Sequence, residues 1–556
     1  MTVPYVQQHQ QHDETHSTSQ RVAIVGAGAA GISAAWSLSR YSHNHIDIYE
    51  TQNKSGGVAS TELIHMNYMN QKIDIRLNDG VQGGSNTYHN TLLLHQQIRK
   101  YREASIQQPP GQSNSIIQHN NELYQPVEMT ISFGLKRNGT NWTNYLPEAT
   151  NGPIIQQCTN DIRRFKYLLY IIQLFEYIYI CMPTWLVLYV FQFSNAFKYY
   201  MVYPLTALFF GTGNQTPYIS SALLSRVFLD SEFKLFDYDP HRLLSSKPHM
   251  FVFGELSMIY SELEKLIIQQ NNAAQFLYNT TIEYIHRYDH TIAISSIDMN
   301  GIHTVRTYDH IILTCNTTSI IDMYGGQSQL TYAERVVLNN VQWFTDVTYT
   351  HTDHKYIEQF YTVNNSHQTD NYYIYSDVND PNLLEMSFNL TNYQPELIKL
   401  KSQLGNQFNI YQTIYLNQAN NRYWNINYLD KTKILSSKIW YQMSHTWRHF
   451  LFTVPLMRYI NRYKPHGGSI LYAGSWTMFN THEIAVISGL CAAHRLGATY
   501  PFSDNQLANK QFDLYLNMIH GVNKHGSTPI IQLVLNIILL PVLWIGYVLI
   551  NLVKLL

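Results

Sequence analysis

Apolar positions along the chain come in contrasting patterns. In Arg21–Trp36, RVAIVGAGAAGISAAW, small and β-branched residues lead into three glycines and then into a further apolar stretch. That order predicts a strand, a tight turn and a helix. A second strand is predicted in HIDIYE, which ends at Glu50. The stretch from Gln342, QWFTDVTYTH, has the Thr, Tyr and Val content of a pleated sheet. Another pattern is continuous. Ile530–Val553 holds 24 residues without a charge, and a helix needs roughly 20 such residues to cross a bilayer. It predicts a transmembrane helix acting as a tail anchor. A second apolar region, Tyr167–Phe193, is cut by Glu176 and Pro183 into pieces too short to span. Two readings of it stand: core helices, or a hydrophobic surface that dips into a bilayer or lines a lipid entry.

Composition narrows the class. A chain of 556 residues can bury a large core and form two or three domains. A net charge of −1 gives no footprint for nucleic acid. The four cysteines form no CxxC pair and the 25 histidines no HExxH cluster, so neither a disulfide framework nor a metal site is expected. Residues 1–20 are rich in Gln, His, Ser and Thr and lack an apolar h-region, which predicts a flexible leader and excludes a secretory signal.

The glycine turn carries the first chemistry. Gly26 permits the turn, Gly28 lets the backbone approach a pyrophosphate, and Gly31 lets the helix pack on the strand. The helix from Ala29 and Ala30 would aim its amides and positive dipole end at the phosphates. Glu50, nineteen residues after Gly31, can accept from the ribose hydroxyls and disfavours a 2′-phosphate. NAD and FAD share this fingerprint. The pair Gly56–Gly57, followed by Val58, lies where FAD proteins carry a second glycine element for the second phosphate and the ribityl chain.

With these blocks the sequence resembles the flavin-containing amine oxidase superfamily, which includes amine oxidases, protoporphyrinogen oxidase, phytoene desaturases and fatty-acid double-bond isomerases. Two further blocks carry the resemblance: Phe276–Thr317, ending in YDHIILTCNT, and Ile470–Ala498, ILYAGSWTMFNTHEIAVISGLCAAHRLGA. The resemblance implies that a backbone group near Ile282 contacts the adenine and that Gly474 ends a strand beside the ribityl-phosphate chain. It implies that Gly83–Gly84 passes close to the flavin. Glu483, Ile484, Ala485 and Val486 would open a helix facing the pyrimidine ring. Where this chain has Ile484, the family often has Gly.

The fold class expected is α/β. It comprises a glutathione-reductase-type Rossmann FAD-binding domain from residues 21–100, 270–330 and 466–505, an α+β substrate domain from 101–269 and 331–465, and a C-terminal transmembrane helix over 530–553. The function expected is that of a membrane-anchored oxidoreductase with non-covalent FAD and the bulk of the chain on the cytosolic side. A hydrophobic small molecule and the membrane are its expected partners. An amine oxidase releasing imine and peroxide, and a flavin-binding membrane protein without catalysis, are the alternatives. His445 and His482 are the candidate catalytic residues, because imidazole titrates near neutrality.

Overall fold

The computed structural model describes residues 19–105, 123–135, 139–145, 153–210, 213–230, 235–244, 247–361, 370–376, 384–416 and 425–522. Its centre is a five-stranded parallel sheet in the order Ala274–Leu277, His45–Tyr49, Arg21–Val25, His310–Leu313, Ser469–Tyr472. These strands are near-continuous apolar runs because helices cover both faces of such a sheet. Val22, Ala23, Ile24, Ile311, Ile312 and Leu313 are almost wholly buried.

Helix Ala29–Ser39 follows the first strand and is buried along its whole length. Its small residues admit a second helix, His482–Arg495. A Cβ on Gly489 of that helix would collide with the carbonyl of Ala30. Between the third and fourth strands runs an antiparallel meander of Thr280–Arg287, Ile292–Asp298 and His303–Tyr308.

The two long excursions from the sheet build most of the rest. A seven-stranded sheet runs Ile434–Ser444, Gln342–His351, Tyr411–Leu416, Leu384–Asn389, Tyr372–Ser376, Ile131–Phe133, Trp142–Thr143. It is antiparallel except where Tyr372–Ser376 meets Ile131–Phe133. The Thr- and Tyr-rich stretch from Gln342 is one of its strands, as its composition predicts. A small sheet pairs Gly83–Ser85 and Tyr124–Glu128 with His249–Phe253. Helices gather between Pro153 and Leu229. There the apolar region breaks where Glu176 and Pro183 stand, into Thr159–Leu174, Glu176–Tyr179 and Thr184–Val190.

Two expectations are corrected. Among the described residues no helix is long and apolar enough to cross a membrane. The transmembrane helix therefore drops out of the fold class, and with it the single-pass, C-terminally anchored localisation. The segment expected to form it, 530–553, lies outside the described residues. So does the expected leader, apart from Ser19, whose hydroxyl donates to the carbonyl of His43, and Gln20, whose carbonyl accepts from the amide of His45.

Candidate functional site

Four loops converge at the carboxyl ends of the parallel strands, where such sheets bind ligands. Gly26–Gly31 follows the first strand and Glu50 ends the second. Thr314 follows the fourth and Gly474 the fifth. Gly26 has φ +103°, and Thr314 donates to the carbonyls of Val25 and Gly26 at 2.7 and 3.0 Å. Glu50 braces the turn: one carboxylate oxygen accepts from the Ala27 amide at 2.8 Å, the other from the Gln52 amide at 2.9 Å. The amide of Gly56 donates to Ala27, and Gly28 bridges to Gly56 in a parallel pairing. A Cβ on Gly57 would lie 3.3 Å from the Cα of Gly28. The structure therefore brings Gly26, Gly28, Ala29, Ala30, Gly31, Glu50, Gly56 and Gly57 to one edge of the sheet. Val58 follows them as an exposed side chain.

Gly28 and Gly31 differ in what surrounds them. A Cβ on Gly31 would collide with the carbonyl of Gly26, so this glycine serves close packing of helix on turn. A Cβ on Gly28 would meet nothing within 4 Å. Gly28 is also the N-cap of its helix, and no side chain caps that end. An uncapped helix N-terminus facing open space, with a carboxylate on the next strand, fits a dinucleotide pyrophosphate and ribose.

The other predicted positions are more dispersed. Ile282 lies in the first strand of the meander, two residues beyond Thr280, whose amide donates to the carbonyl of Glu50 at 3.0 Å. Gly474, at φ +124°, donates to Ser488 at 2.8 Å and so ties the fifth strand to helix His482–Arg495. Gly83 and Gly84 are needed for packing. A Cβ on Gly83 would strike the carbonyl of Phe251, and one on Gly84 would lie 2.6 Å from the Tyr88 ring.

At the start of helix His482–Arg495, Thr481 is the N-cap. Its hydroxyl accepts from Ile484 at 3.3 Å and its carbonyl from Ala485 at 3.2 Å. The amides of Ile484 and Ala485 are thus engaged within the helix start, and Val486 is fully buried. Glu483 turns inward, accepting from the amides of Asn90 and Thr91 at 2.8 Å each. It clamps helix His89–Ser105 to this one.

Neither candidate histidine meets open space. His482 is buried beside Phe253, with Nε2 2.9 Å from the Tyr260 hydroxyl, and burial lowers its pKa to about 4. His445 is buried between Phe450 and Phe479, its Nε2 accepting from the Asn480 amide at 2.8 Å. Burial holds its pKa well below the ordinary value.

Open space lies instead on the other side of the helix start. A cavity of about 150 Å³ is bounded by Thr481, Glu483, Ile484 and Ile487, by Ser85 and Tyr88, and by Leu208, Leu223 and Met250. Helix Gln506–His520 closes it with Gln511, Leu514 and Tyr515. The lining is mainly apolar. Tyr88 is the lining group that sequence reasoning missed: its phenol is hydrogen-bonded to the backbone of His482 and to Thr481, and burial raises its pKa. The adjacent Gly84, which makes room for its ring, was the available signal. Ile484 faces the cavity.

A family model described as an NAD(P)-binding Rossmann-like domain matches residues 24–90. No curated protein matches the chain in sequence. Among solved structures, a CLA-producing fatty acid isomerase from P. acnes is 14% identical with a TM-score of 0.51, over 85% of this chain and 98% of its own. An oxidoreductase from Methanosarcina mazei is 10% identical with a TM-score of 0.51, over 85% of this chain and 100% of its own. At such identities the likeness is one of fold, and the fold is that of a Rossmann-type dinucleotide-binding protein whose sheet is interrupted by long insertions. Within that class, the matched segment and these neighbours are consistent with the flavin-containing amine oxidase superfamily.

Proposed function

We propose that the chain is an FAD-dependent oxidoreductase that receives a lipophilic small molecule in the cavity beside helix His482–Arg495. The observation that carries the reading is the position of that cavity: mainly apolar walls, closed on one side by the N-terminal turn of a helix tied through Gly474 and Ser488 to the cofactor sheet. Gly28, the helix start at Ala29–Gly31, Glu50 and Gly56–Gly57 would hold the dinucleotide. Bound FAD supplies a hydride acceptor. The chain's part is to bind, to orient and to exclude water. The positive end of helix His482–Arg495 favours negative charge developing next to it. The protonated Tyr88 phenol stands at that end as a hydrogen-bond donor or acceptor.

An amine is disfavoured by charge. Glu483 is the one carboxylate among the described lining residues, and the amides of Asn90 and Thr91 already occupy it. A buried ammonium with no carboxylate to pair it would pay heavily for desolvation. The fold likeness to a fatty acid isomerase points in the same direction.

Denaturing the purified protein is expected to release FAD without proteolysis. Anaerobic addition of lipid fractions is expected either to bleach the flavin band or to return lipids with shifted double bonds, while a panel of amines does neither. A preparation without flavin from any source refutes the cofactor. Bleaching and peroxide release with amines alone refutes the substrate class.

A further inference from the structure

The region Tyr167–Phe193 folds as a helical hairpin that is apolar on both sides. Helix Thr159–Leu174 buries Ile162, Phe165, Leu168, Leu169 and Ile172 against the protein. Its opposite face carries Tyr167, Tyr170 and Leu174, spaced three and four residues apart and exposed. An ordinary surface helix is polar on that side. Glu176–Tyr179 makes the tip of the hairpin and Thr184–Val190 returns. Arg164 holds the two arms together by donating to the carbonyls of Phe191 and Gln192. Tyr167, Leu174, Tyr177, Ile178, Tyr189 and Val190 are each 57–75% exposed. A soluble surface rarely gathers so many large apolar side chains in one place.

The charges exposed on the outer face of the hairpin's first helix are basic, while Asp161 of that helix is buried and paired with Arg164 at 3.3 Å. Arg163 and Lys166 are exposed on the same outer face, one turn before the tyrosines. The acid at the tip, Glu176, is bonded to Arg226 at 2.6 Å. Tyrosines beside an apolar tip, with bare cations behind them, form the profile of a helix that lies in a bilayer interface and is drawn to anionic headgroups.

The hairpin is also fixed to the cavity. Ser220 and Ser221 donate their hydroxyls to the carbonyls of Ile180 and Tyr179 at 2.8 Å each, and the amide of Thr184 donates to Ile219 at 2.9 Å. Helix Ala222–Leu229 begins at that point, and its Leu223 and Arg226 line the cavity. Arg226 therefore faces the cavity while bonded to the hairpin tip.

We propose that this hairpin docks the protein peripherally on an anionic phospholipid surface, with its tip in the interface and the cavity behind it. The contact is monotopic and involves no spanning helix. It goes beyond the proposed reaction, because docking is read without turnover.

The test uses the full chain with Ile178→Cys carrying an environment-sensitive fluorophore, in a Cys181→Ser background. A second protein carries the label at Val305→Cys, an exposed position on the meander. Vesicles of phosphatidylcholine with phosphatidylglycerol are expected to shift the Ile178 label to the blue and to bring it within reach of quencher-bearing lipids. The Val305 label is expected not to respond. Vesicles of phosphatidylcholine alone are expected to bind much more weakly. Reversing Arg163 and Lys166 to Glu is expected to weaken binding roughly tenfold or more. No response at Ile178, or an equal response at Val305, overturns the proposal. A blue shift that grows with protein concentration and needs no vesicles overturns it in favour of a second copy of the chain. Because labelled protein without flavin suffices, failure here is distinct from failure of the oxidoreductase reading.

Discussion

Gly28 and Gly31 stand three residues apart and answer to different demands. At Gly31 the collision is with the protein's own backbone, so even a methyl group must push the helix off the turn. Gly31→Ala is expected to cost about 3 kcal/mol or more by overpacking, seen as a lowered thermal midpoint with or without cofactor. At Gly28 the backbone has φ −74°, which any residue adopts, and a side chain would enter open space. Gly28→Val is expected to fold, with a change within about 1 kcal/mol for a poorer N-cap, yet to carry no dinucleotide. Flavin retention in that variant would remove the pyrophosphate from this turn. Spacing alone made the packing role of Gly31 legible, because the motif fixes where turn and helix meet, and it left at Gly28 the role that this variant tests. It could not separate the Gly83–Gly84 pair from a cofactor contact, since a glycine admits a neighbouring strand as readily as a ligand. The positions of Phe251 and Tyr88 give both glycines a packing role.

Between elements, the start of helix His482–Arg495 has two sides. One borders the cavity. The other packs His482 against Phe253, Tyr260 and His95 of helix His89–Ser105, with the imidazole rings of His482 and His95 6.2 Å apart. The sequence placed His482 correctly at a helix entrance, but one residue of rotation about a helix axis decides which side it faces, and no motif encodes that. Burial lowers the pKa of His482 to about 4 and, with His482 beside it, that of His95 to about 3. A free imidazole takes its proton near 6.5. Above that value both states are neutral and the histidines contribute nothing to the pH dependence. As pH falls below 6.5 the unfolded chain binds protons that the native state refuses, so stability is lost progressively down to about pH 4 and 3. His95→Leu keeps an apolar group in this cluster and removes one of these sites. It is expected to recover ~3 kcal/mol near pH 4 and to change little near pH 8, as measured by denaturant titration at both values. An acid limb of unchanged steepness would show that His95 is protonated in the native state or accessible to water.

Across the whole molecule, the central sheet is closed by its most distant parts. The first strand ends at Val25 and the last begins at Ser469, and the fourth strand at His310–Leu313 joins them. Local pattern marks strands such as Arg21–Val25 and His45–Tyr49 but not their neighbours, so resemblance, more than periodicity, supplied the expectation of how the pieces assemble. The same limit applied to the apolar run at 530–553: a count of uncharged residues predicts a spanning helix and says nothing of whether the folded part needs it. The described residues give a separate answer about sufficiency. All five strands, the uncapped turn at Gly28 and every described lining residue of the cavity lie at or before residue 515. Helix Gln506–His520 is integral to them. Tyr500 stacks on its Phe512 with ring centres 3.8 Å apart and donates to Asn90 at 2.7 Å, and Lys510, Gln511, Leu514 and Tyr515 border the cavity. A chain ending at Val522 is therefore expected to hold FAD at the stoichiometry of the full chain and to release it at the same temperature. One ending at Thr499 loses the stack and one wall of the cavity. It is expected to be purified without flavin or not to fold, by absorbance and by thermal melting. Loss of flavin from the longer truncation would mean that residues after 522 complete the site, and the cavity would then have to be redrawn with a wall from that segment.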